Sequence, residues 1–364
     1  MNVFWNNRIM RLSPYIAGEQ PRNANIVKLN ANENPYPPSP KVIEAIKKAA
    51  AGDRLRLYPD SACTVLREAA AERYKVLPEQ VFAGNGSDEA LAFAFGAFFQ
   101  TEPADEPVLF PDITYSFYPV YANLWGVPFK EIPLRDDFSI NVSDYYEAVN
   151  GVIFPNPNAP TGIALSARDV LCVSKHCAEK NKTLIVDEAY QAFGAESVVP
   201  FINENPGLLT VHTLSKSASL AGLRAGFAIG QRHLIEALER IRDSFNSYTV
   251  DAIAQAAAAA ALLDISYYDE INRRVIETRE RTAVELAALG FKNLPSSANF
   301  IFTTPPSPLN APRLFTLLRE NGILVRYFDK PRTKDFLRVS IGLGSDMDRF
   351  LEVCAAAVKN AGCA

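Results

Sequence analysis

The sequence predicts an α/β protein, with a large domain on a doubly wound, mostly parallel sheet and a smaller α+β domain. Short apolar or β-branched runs alternate with helical patterns from about residue 80 to residue 230, an order that lays helices on both faces of a parallel sheet. Beyond residue 289 the order changes to strand, helix, strand, strand, helix. The 364 residues also exceed the roughly 250 to 300 at which a single core stops growing, so two unequal domains with a cleft between them are expected. The expected division is an N-terminal arm at 1–28 that packs with the small domain, a large domain at 29–260 and a small domain at 261–364.

The arm reads as irregular, with Tyr15 after Pro14, and ends in a short strand near Ile26 to Leu29. The next stretch, LNANENPYPPSP from Leu29 to Pro40, is too rich in proline and asparagine to be helix or sheet interior. Val42, Ile43, Ile46 and Ala49 then recur at helical spacing until Gly52 ends the helix. LYPDSACTVLREAAAERY supplies a loop carrying Tyr58 and then another helix.

In GNGSDEALAFAFGAFF, which starts at Gly84, chain-reversing residues precede Ser87, Asp88 and Glu89 where an N-cap and first turn belong. Free N–H groups at such a start can bind an anion; a plain capped helix is the commoner meaning of so short a motif. PVLFPDITYSFYPVYANLWG reads as strand, turn and aromatic helix, which puts Tyr115 just past a strand end. Ligands of open α/β sheets bind at that edge. Strand Val152 to Phe154 runs into PNPNAPTG, a helix follows from Ala167 to Lys180, and TLIVDEAY places Asp187 at the carboxyl end of a buried strand. A carboxylate there requires a cationic partner.

The stretch from Leu208 to Gly230 sets Lys216 among small and hydroxyl residues between two strand-like runs. A lysine so placed is costly unless its amine is held as a Schiff base to a carbonyl cofactor, which removes its charge; the alternative is a solvated lysine on a surface turn. Thr213, Ser215 and Arg224 nearby are of the types that hold a phosphate. Helices from Arg232 to Arg242 and Ala252 to Leu262, and an amphipathic helix through Leu289, lead outward. The last lobe reads strand Phe300 to Thr303, helix Ala311 to Asn321, strands Leu324 to Tyr327 and Phe336 to Ile341, and helix Asp346 to Lys359. Arg326 and Arg338 lie inside its strands, either as edge residues facing water or, on adjacent strands, as a clamp for anions.

Composition narrows the partners. A net charge of −4 argues against nucleic acid, whose binders present a basic face. The longest apolar run, Ala252 to Leu263, is too short for a membrane span. The start, MNVFWNNRIMRLSPY, lacks the apolar core of a secretory signal. Cys63, Cys172, Cys177, Cys354 and Cys363 show no zinc-type spacing, so reduced thiols in a cytoplasm and no bound metal are expected.

Lys216 offers an amine, Asp187 a carboxylate and Tyr115 a ring, while Gly86 to Asp88 with Ser215 and Arg224 offer a phosphate cradle. Pyridoxal 5′-phosphate needs each of these groups. With LNANENP, LYPD, GNGSDE, NPNAPTG, VDEAY, TLSKSASLAGLRAGF and VRYFDKP followed by FLRVSIG, the chain resembles the fold-type-I pyridoxal-phosphate aminotransferases, and more closely the histidinol-phosphate aminotransferases, from about Tyr15 to the last helix. The resemblance implies that Lys216 is the Schiff-base lysine and general base, that Asp187 pairs the pyridinium and that Tyr190 bonds the phenolic oxygen. It implies that Tyr115 stacks on the ring and that Arg224, Ser215, Thr213 and the Ser87 and Asp88 amides hold the phosphate. Arg338 would grip the substrate carboxylate, with Asn32 also at the substrate; Tyr15, Arg326 and Tyr58 from the other subunit of a homodimer would meet the substrate phosphate. The family usually has asparagine directly before PTG, where this chain has Ala159, so Asn158 or Asn156 must reach the phenolic oxygen instead, or Tyr190 holds it alone; of these, Asn158 is expected. The implied reaction is transfer of an amino group from histidinol phosphate to 2-oxoglutarate. A threonine-phosphate decarboxylase or an aromatic amino acid aminotransferase on the same fold is the alternative.

Overall fold

A computed structural model describes residues 4–6, 9–10, 12–15, 19–20, 26–103 and 105–362; the rest of the expected arm and Cys363 lie outside the described residues. The large domain is built on a seven-stranded sheet in the order β2-β8-β7-β6-β5-β3-β4. Its strands are β2 (Val81–Gly84), β3 (Val108–Pro111), β4 (Phe129–Ile132), β5 (Val152–Pro155), β6 (Leu184–Asp187), β7 (Leu208–Thr213) and β8 (Gly226–Gly230). Only β8 runs against its neighbours, so the sheet is mostly parallel, as the alternating pattern implies.

The central strands read as continuous apolar runs because both faces are covered. Strand periodicity divides them: Val152, Phe154, Leu184 and Val186 enter one core, and Ile153 and Ile185 enter the other with Phe82, Phe95 and Tyr118. The helix Ala252–Leu263 packs on Pro40–Ala50 and Thr64–Tyr74 over the first face. Its alanine-rich sequence fits that place, since small side chains let helices approach closely.

The small domain has a five-stranded sheet in the order β1-β11-β12-β10-β9, formed by β1 (Val27–Leu29), β9 (Lys292–Asn293), β10 (Phe300–Thr304), β11 (Ile323–Tyr327) and β12 (Leu337–Ser340). The strand expected at the end of the arm is β1, parallel to β11. It lies wholly in the small sheet, across the expected 28/29 boundary. The long helix Ile265–Ala288 belongs to both domains, with Tyr268 and Ile271 in the large-domain core and Val275 and Leu286 in the small-domain core. One stiff rod thus holds the lobes on either side of the cleft. Among the described residues no helix is long and apolar enough to cross a membrane, and no cluster of His, Cys, Asp and Glu could hold a metal ion.

Two backbones meet closely where the large sheet adjoins the helix Gly86–Phe98. A Cβ on Gly226 would stand 2.4 Å from both the Gly86 carbonyl carbon and the Ser87 nitrogen. Backbone on both sides leaves nothing to yield. Gly226→Ala is therefore expected to cost about 1–3 kcal/mol of stability and to weaken cofactor retention by displacing the helix start. Gly222→Ala, which meets nothing within 4 Å, is expected to stay within about 0.5 kcal/mol of the parent. Denaturant unfolding of the two variants checks this, and equal losses would sink the packing argument.

Candidate active site

The cavity lies beyond the carboxyl ends of β5, β6 and β7, where a doubly wound sheet opens, and β11 and β12 of the small domain close its other side. Asp187 is at its base, 4% exposed. Its carboxylate accepts the Ala189 N–H at 3.1 Å and the Tyr118 hydroxyl at 3.3 Å. Burial pushes its pKa up to about 7 against the pull of those two bonds, so it is an acid that awaits a cation.

Lys216 follows β7 and reaches into the cavity to donate from Nζ to the Ala31 carbonyl at 3.0 Å. Burial lowers its pKa to about 8, and the charge of Arg338 pushes the same way. The amine therefore gives up its proton far more readily than a solvated lysine, which suits a nucleophile and proton carrier.

At the inner end, Gly86 with φ 76° opens the helix start. A Cβ there would stand 2.8 Å from Arg224 Nη2, so glycine is what admits the guanidinium. Arg224 bonds Asp88 at 2.7 Å and Ser215 Oγ at 3.4 Å, while Thr213 Oγ1 accepts the Ser215 N–H at 3.1 Å. Tyr115 donates to the other Asp88 oxygen at 2.7 Å and meets Tyr118 edge-on.

On the small-domain side, Arg326 and Arg338 sit directly opposite each other on antiparallel strands, and both line the cavity. Both guanidiniums lie over Phe328, at 5.5 and 5.6 Å. Arg338 donates to the Asn30 carbonyl at 3.0 Å, and its Nε is buried without a partner. Tyr15 lines the mouth, stacked on Phe117 with centroids 4.3 Å apart. Tyr190 also lines the wall and accepts from Asn32 at 2.9 Å, so the Asn32 amide, expected at the substrate, is turned to Tyr190 and Ser340 instead.

Two expected residues are not brought here. Asn158 does not line the cavity: its amide donates to the Ile113 carbonyl at 2.9 Å and to Thr161 Oγ1 at 3.2 Å, and its oxygen accepts from Thr114 at 3.2 Å. Turning the PNPNAPTG loop consumes the whole side chain, and Ala159 faces the cavity in its stead. Tyr58 stands on the surface, 81% exposed and stacked on Tyr248. Sequence reasoning in turn missed Tyr118, the Ala31 carbonyl and Phe328. Only Tyr118 carried a signal, as one of several aromatics in YSFYPVY.

The donors fit pyridoxal phosphate: an amine of lowered pKa, a buried acid, an aromatic ring and an anion cradle that a Cβ at Gly86 would fill. The family described as "Aminotransferase class I and II" matches residues 24–354. The chain belongs to the class I and II aminotransferases. A histidinol-phosphate aminotransferase of Clostridium botulinum (strain 657 / Type Ba4) is 51% identical over 97% of this chain and 98% of that relative. One of Acinetobacter baumannii (strain AB307-0294) is 51% identical over 96% of each. Among solved structures, histidinol-phosphate aminotransferase from Sinorhizobium meliloti in complex with pyridoxal-5′-phosphate superposes with a TM-score of 0.86 at 23% identity, covering 98% of both chains. That last likeness is one of fold.

The cofactor of this aminotransferase is pyridoxal phosphate, which when bound supplies a carbonyl carbon for an amine and a ring that draws electrons from the substrate. Around it the chain's groups divide the work. Lys216 would offer the amine and carry a proton, Asp187 would hold a cationic ring nitrogen charged, and the helix start with Arg224 and Ser215 would neutralise a phosphate. Arg338, with one N–H unpaired, would be free to orient a carboxylate.

The Asp187 pKa has a consequence for stability. The folded state keeps a proton that the unfolded chain has lost between about pH 4 and pH 7, so the cofactor-free protein loses stability as pH rises through that window. Asp187→Asn removes this loss. Stripped of cofactor, the variant is expected to be more stable than the parent at pH 8, by on the order of 2–4 kcal/mol, and no more stable at pH 4, while turnover drops at least about a hundredfold. Denaturant melts from pH 4 to 8 check it. Parallel curves for the two proteins would show that the carboxyl is not strained.

Proposed function

We propose that this aminotransferase transfers the amino group of histidinol phosphate to 2-oxoglutarate, giving imidazole acetol phosphate and glutamate in histidine biosynthesis. Relatives bearing that name at 51% identity over nearly the whole chain support the reading. The observation that carries it is the Arg326–Arg338 pair. Like charges directly opposed across a ladder repel, and both face a cavity in which the carboxylates of Asp88 and Asp187 are spoken for by other roles. Such a pair is stable when anions fill it. A phosphorylated donor and a dicarboxylate acceptor, bound in turn, each present one anion beyond the cofactor and the reacting centre. Phenylalanine or tyrosine, the substrates of an aromatic aminotransferase, present no anion beyond the reacting centre. A threonine-phosphate decarboxylase would share the phosphate contact and differ in consuming no oxo acid.

In this reading Lys216, Asp187 and Tyr190 act on the reacting centre. Gly86, Ser87, Asp88, Tyr115, Thr213, Ser215 and Arg224 hold the cofactor, and Tyr15, Arg326 and Arg338 hold the substrate. The enzyme works in the cytoplasm as a homodimer, with Tyr58 reaching the partner's substrate. Leu55, Leu57, Tyr58 and Phe245, from 58% to 81% exposed, are large apolar side chains whose cover a second copy would provide.

Arg326→Ala is expected to lower kcat/KM for histidinol phosphate at least about a hundredfold, or ~2.7 kcal/mol, and to change the small activity on aromatic amino acids far less. Steady-state rates with both donors decide it. Equal losses would assign Arg326 to the fold or to the α-carboxylate and shift the reading to an aromatic aminotransferase.

A mixing experiment checks the dimer. Tyr58→Ala and Lys216→Ala proteins, each inactive alone, are expected to recover part of the parental rate after joint unfolding and refolding, because a mixed dimer regains one site with both groups. No recovery in verified mixed dimers would place Tyr58 outside the site.

A further inference from the structure

The segment Asn30–Ala31–Asn32 carries the chain from β1 into the large domain and touches reactive side chains with three successive residues. The Asn30 carbonyl accepts from Arg338 at 3.0 Å, the Ala31 carbonyl accepts from Lys216 at 3.0 Å, and the Asn32 amide donates to Tyr190 Oη at 2.9 Å. Asn32 is fixed on every side. It is 1% exposed and left-handed at φ 54°. Its N–H donates to Ser340 Oγ at 2.8 Å, and its carbonyl accepts from Asn299 at 3.0 Å.

Ser340 Oγ accepts from the Asn32 backbone and gives its own proton to Asn32 Oδ1 at 2.9 Å. The amide oxygen is thereby an acceptor, so the amide nitrogen must point at Tyr190 and donate. Having accepted there, Tyr190 keeps its hydroxyl proton for the cavity; among the described residues nothing else takes that proton. No neighbouring side chain shares this duty. Ala159 packs with Tyr190 and Phe300 and brings no polar side-chain atom, and Asn158 is committed to its own loop.

We propose that Asn32, locked by Ser340, is a positioning residue that aims the Tyr190 hydroxyl proton at the ring oxygen of the bound cofactor, so that one phenol is the side-chain donor to that oxygen. This rests on the reading of Tyr190 as the residue beside the ring oxygen. The donor stabilises negative charge on the oxygen, and so lowers the pH at which the cofactor's visible absorption band converts to its high-pH form. Besides Asn32, the charged groups that bear on Tyr190 are Arg338, Asp187 and Asp88, with Lys216 in the same cavity. All are retained in the variants below.

The test is a spectroscopic titration of holoenzyme in a double-mutant cycle. Asn32→Asp is nearly isosteric and tolerates a left-handed backbone, but its carboxylate only accepts and would draw the Tyr190 proton away from the cofactor. The midpoint of the band is expected to rise by about one pH unit or more. Tyr190→Phe is expected to raise it alone, and in that background Asn32→Asp should add little, because the effect runs through the phenol. Ser340→Ala, which frees the amide to turn, is expected to give a smaller rise and serves if Asn32→Asp folds poorly. An unmoved midpoint in Asn32→Asp, or the same shift with and without Tyr190, would overturn the proposal while leaving the Tyr190 reading standing. An unmoved midpoint in Tyr190→Phe would overturn both.

Discussion

The bond from Lys216 Nζ to the Ala31 carbonyl, 3.0 Å long, ties the reactive amine of the large domain to the strand that leaves the small one. The same loop also holds the lysine's main chain, because Asn34 donates to the Lys216 carbonyl at 3.0 Å. The lysine is thus gripped at both ends by residues far away in sequence. The grip is possible because β1 completes the small sheet before the chain crosses to the helix Pro40–Ala50. The pairing of β1 with β11 thus helps to place the carbonyl that meets the amine.

Around that contact the charges are arranged for ligands and not for each other. Asp187 is lifted to about 7 and Lys216 lowered to about 8, burial being the main cause of each. Arg338 is held below its usual pKa by burial, with the charge of Arg326 acting in the same sense. Each shift records a group whose charged form is disfavoured in the cofactor-free protein. Binding a cationic ring nitrogen, an aldehyde and an anion relieves these costs in turn, so affinity for the cofactor and substrate is stored as strain in the free enzyme. The apolar cores on both faces of the large sheet supply the stability that this arrangement gives up.

Much of this was legible in the sequence, and the limits have physical causes. Asp187 could be placed because a carboxylate ending a run of buried strand residues has one sensible position. Lys216 and Arg224 could be placed because the strands on either side fix the turn between them. The direction of Asn158 is not legible, because spacing brings it near the cavity without saying which way its amide turns; backbone groups from Ile113 and the side chains of Thr114 and Thr161 decide that. Tyr118 could not be singled out, since its ring belongs to the core while only its hydroxyl serves the site. Likewise the Ala31 carbonyl has no side-chain signature at all. The domain boundaries were blurred by one helix, Ile265–Ala288, that is core to both lobes.

The neighbouring carboxylates Asp187 and Glu188 show how the fold separates chemistry from support. Successive residues at a strand end point to opposite sides, so only Asp187 enters the cavity. Glu188 turns to the other side and is fully buried there. It accepts from Ser197 Oγ at 2.6 Å and the Val198 N–H at 2.8 Å, which pins the loop after β6 against the sheet. Its ring neighbour His212, 3.8 Å away, is pushed by burial to a pKa of about 3 and is therefore neutral. No ion pair forms between them at neutral pH. Burial also lifts Glu188 to about 7, and the charge of Asp187 adds to that rise. A cation on the cavity side that settles Asp187 as a carboxylate thus makes a second negative charge on Glu188 harder to hold. The two acids of DEAY are coupled back to back across the strand, one exposed to the chemistry and the other holding the loop that presents Tyr190.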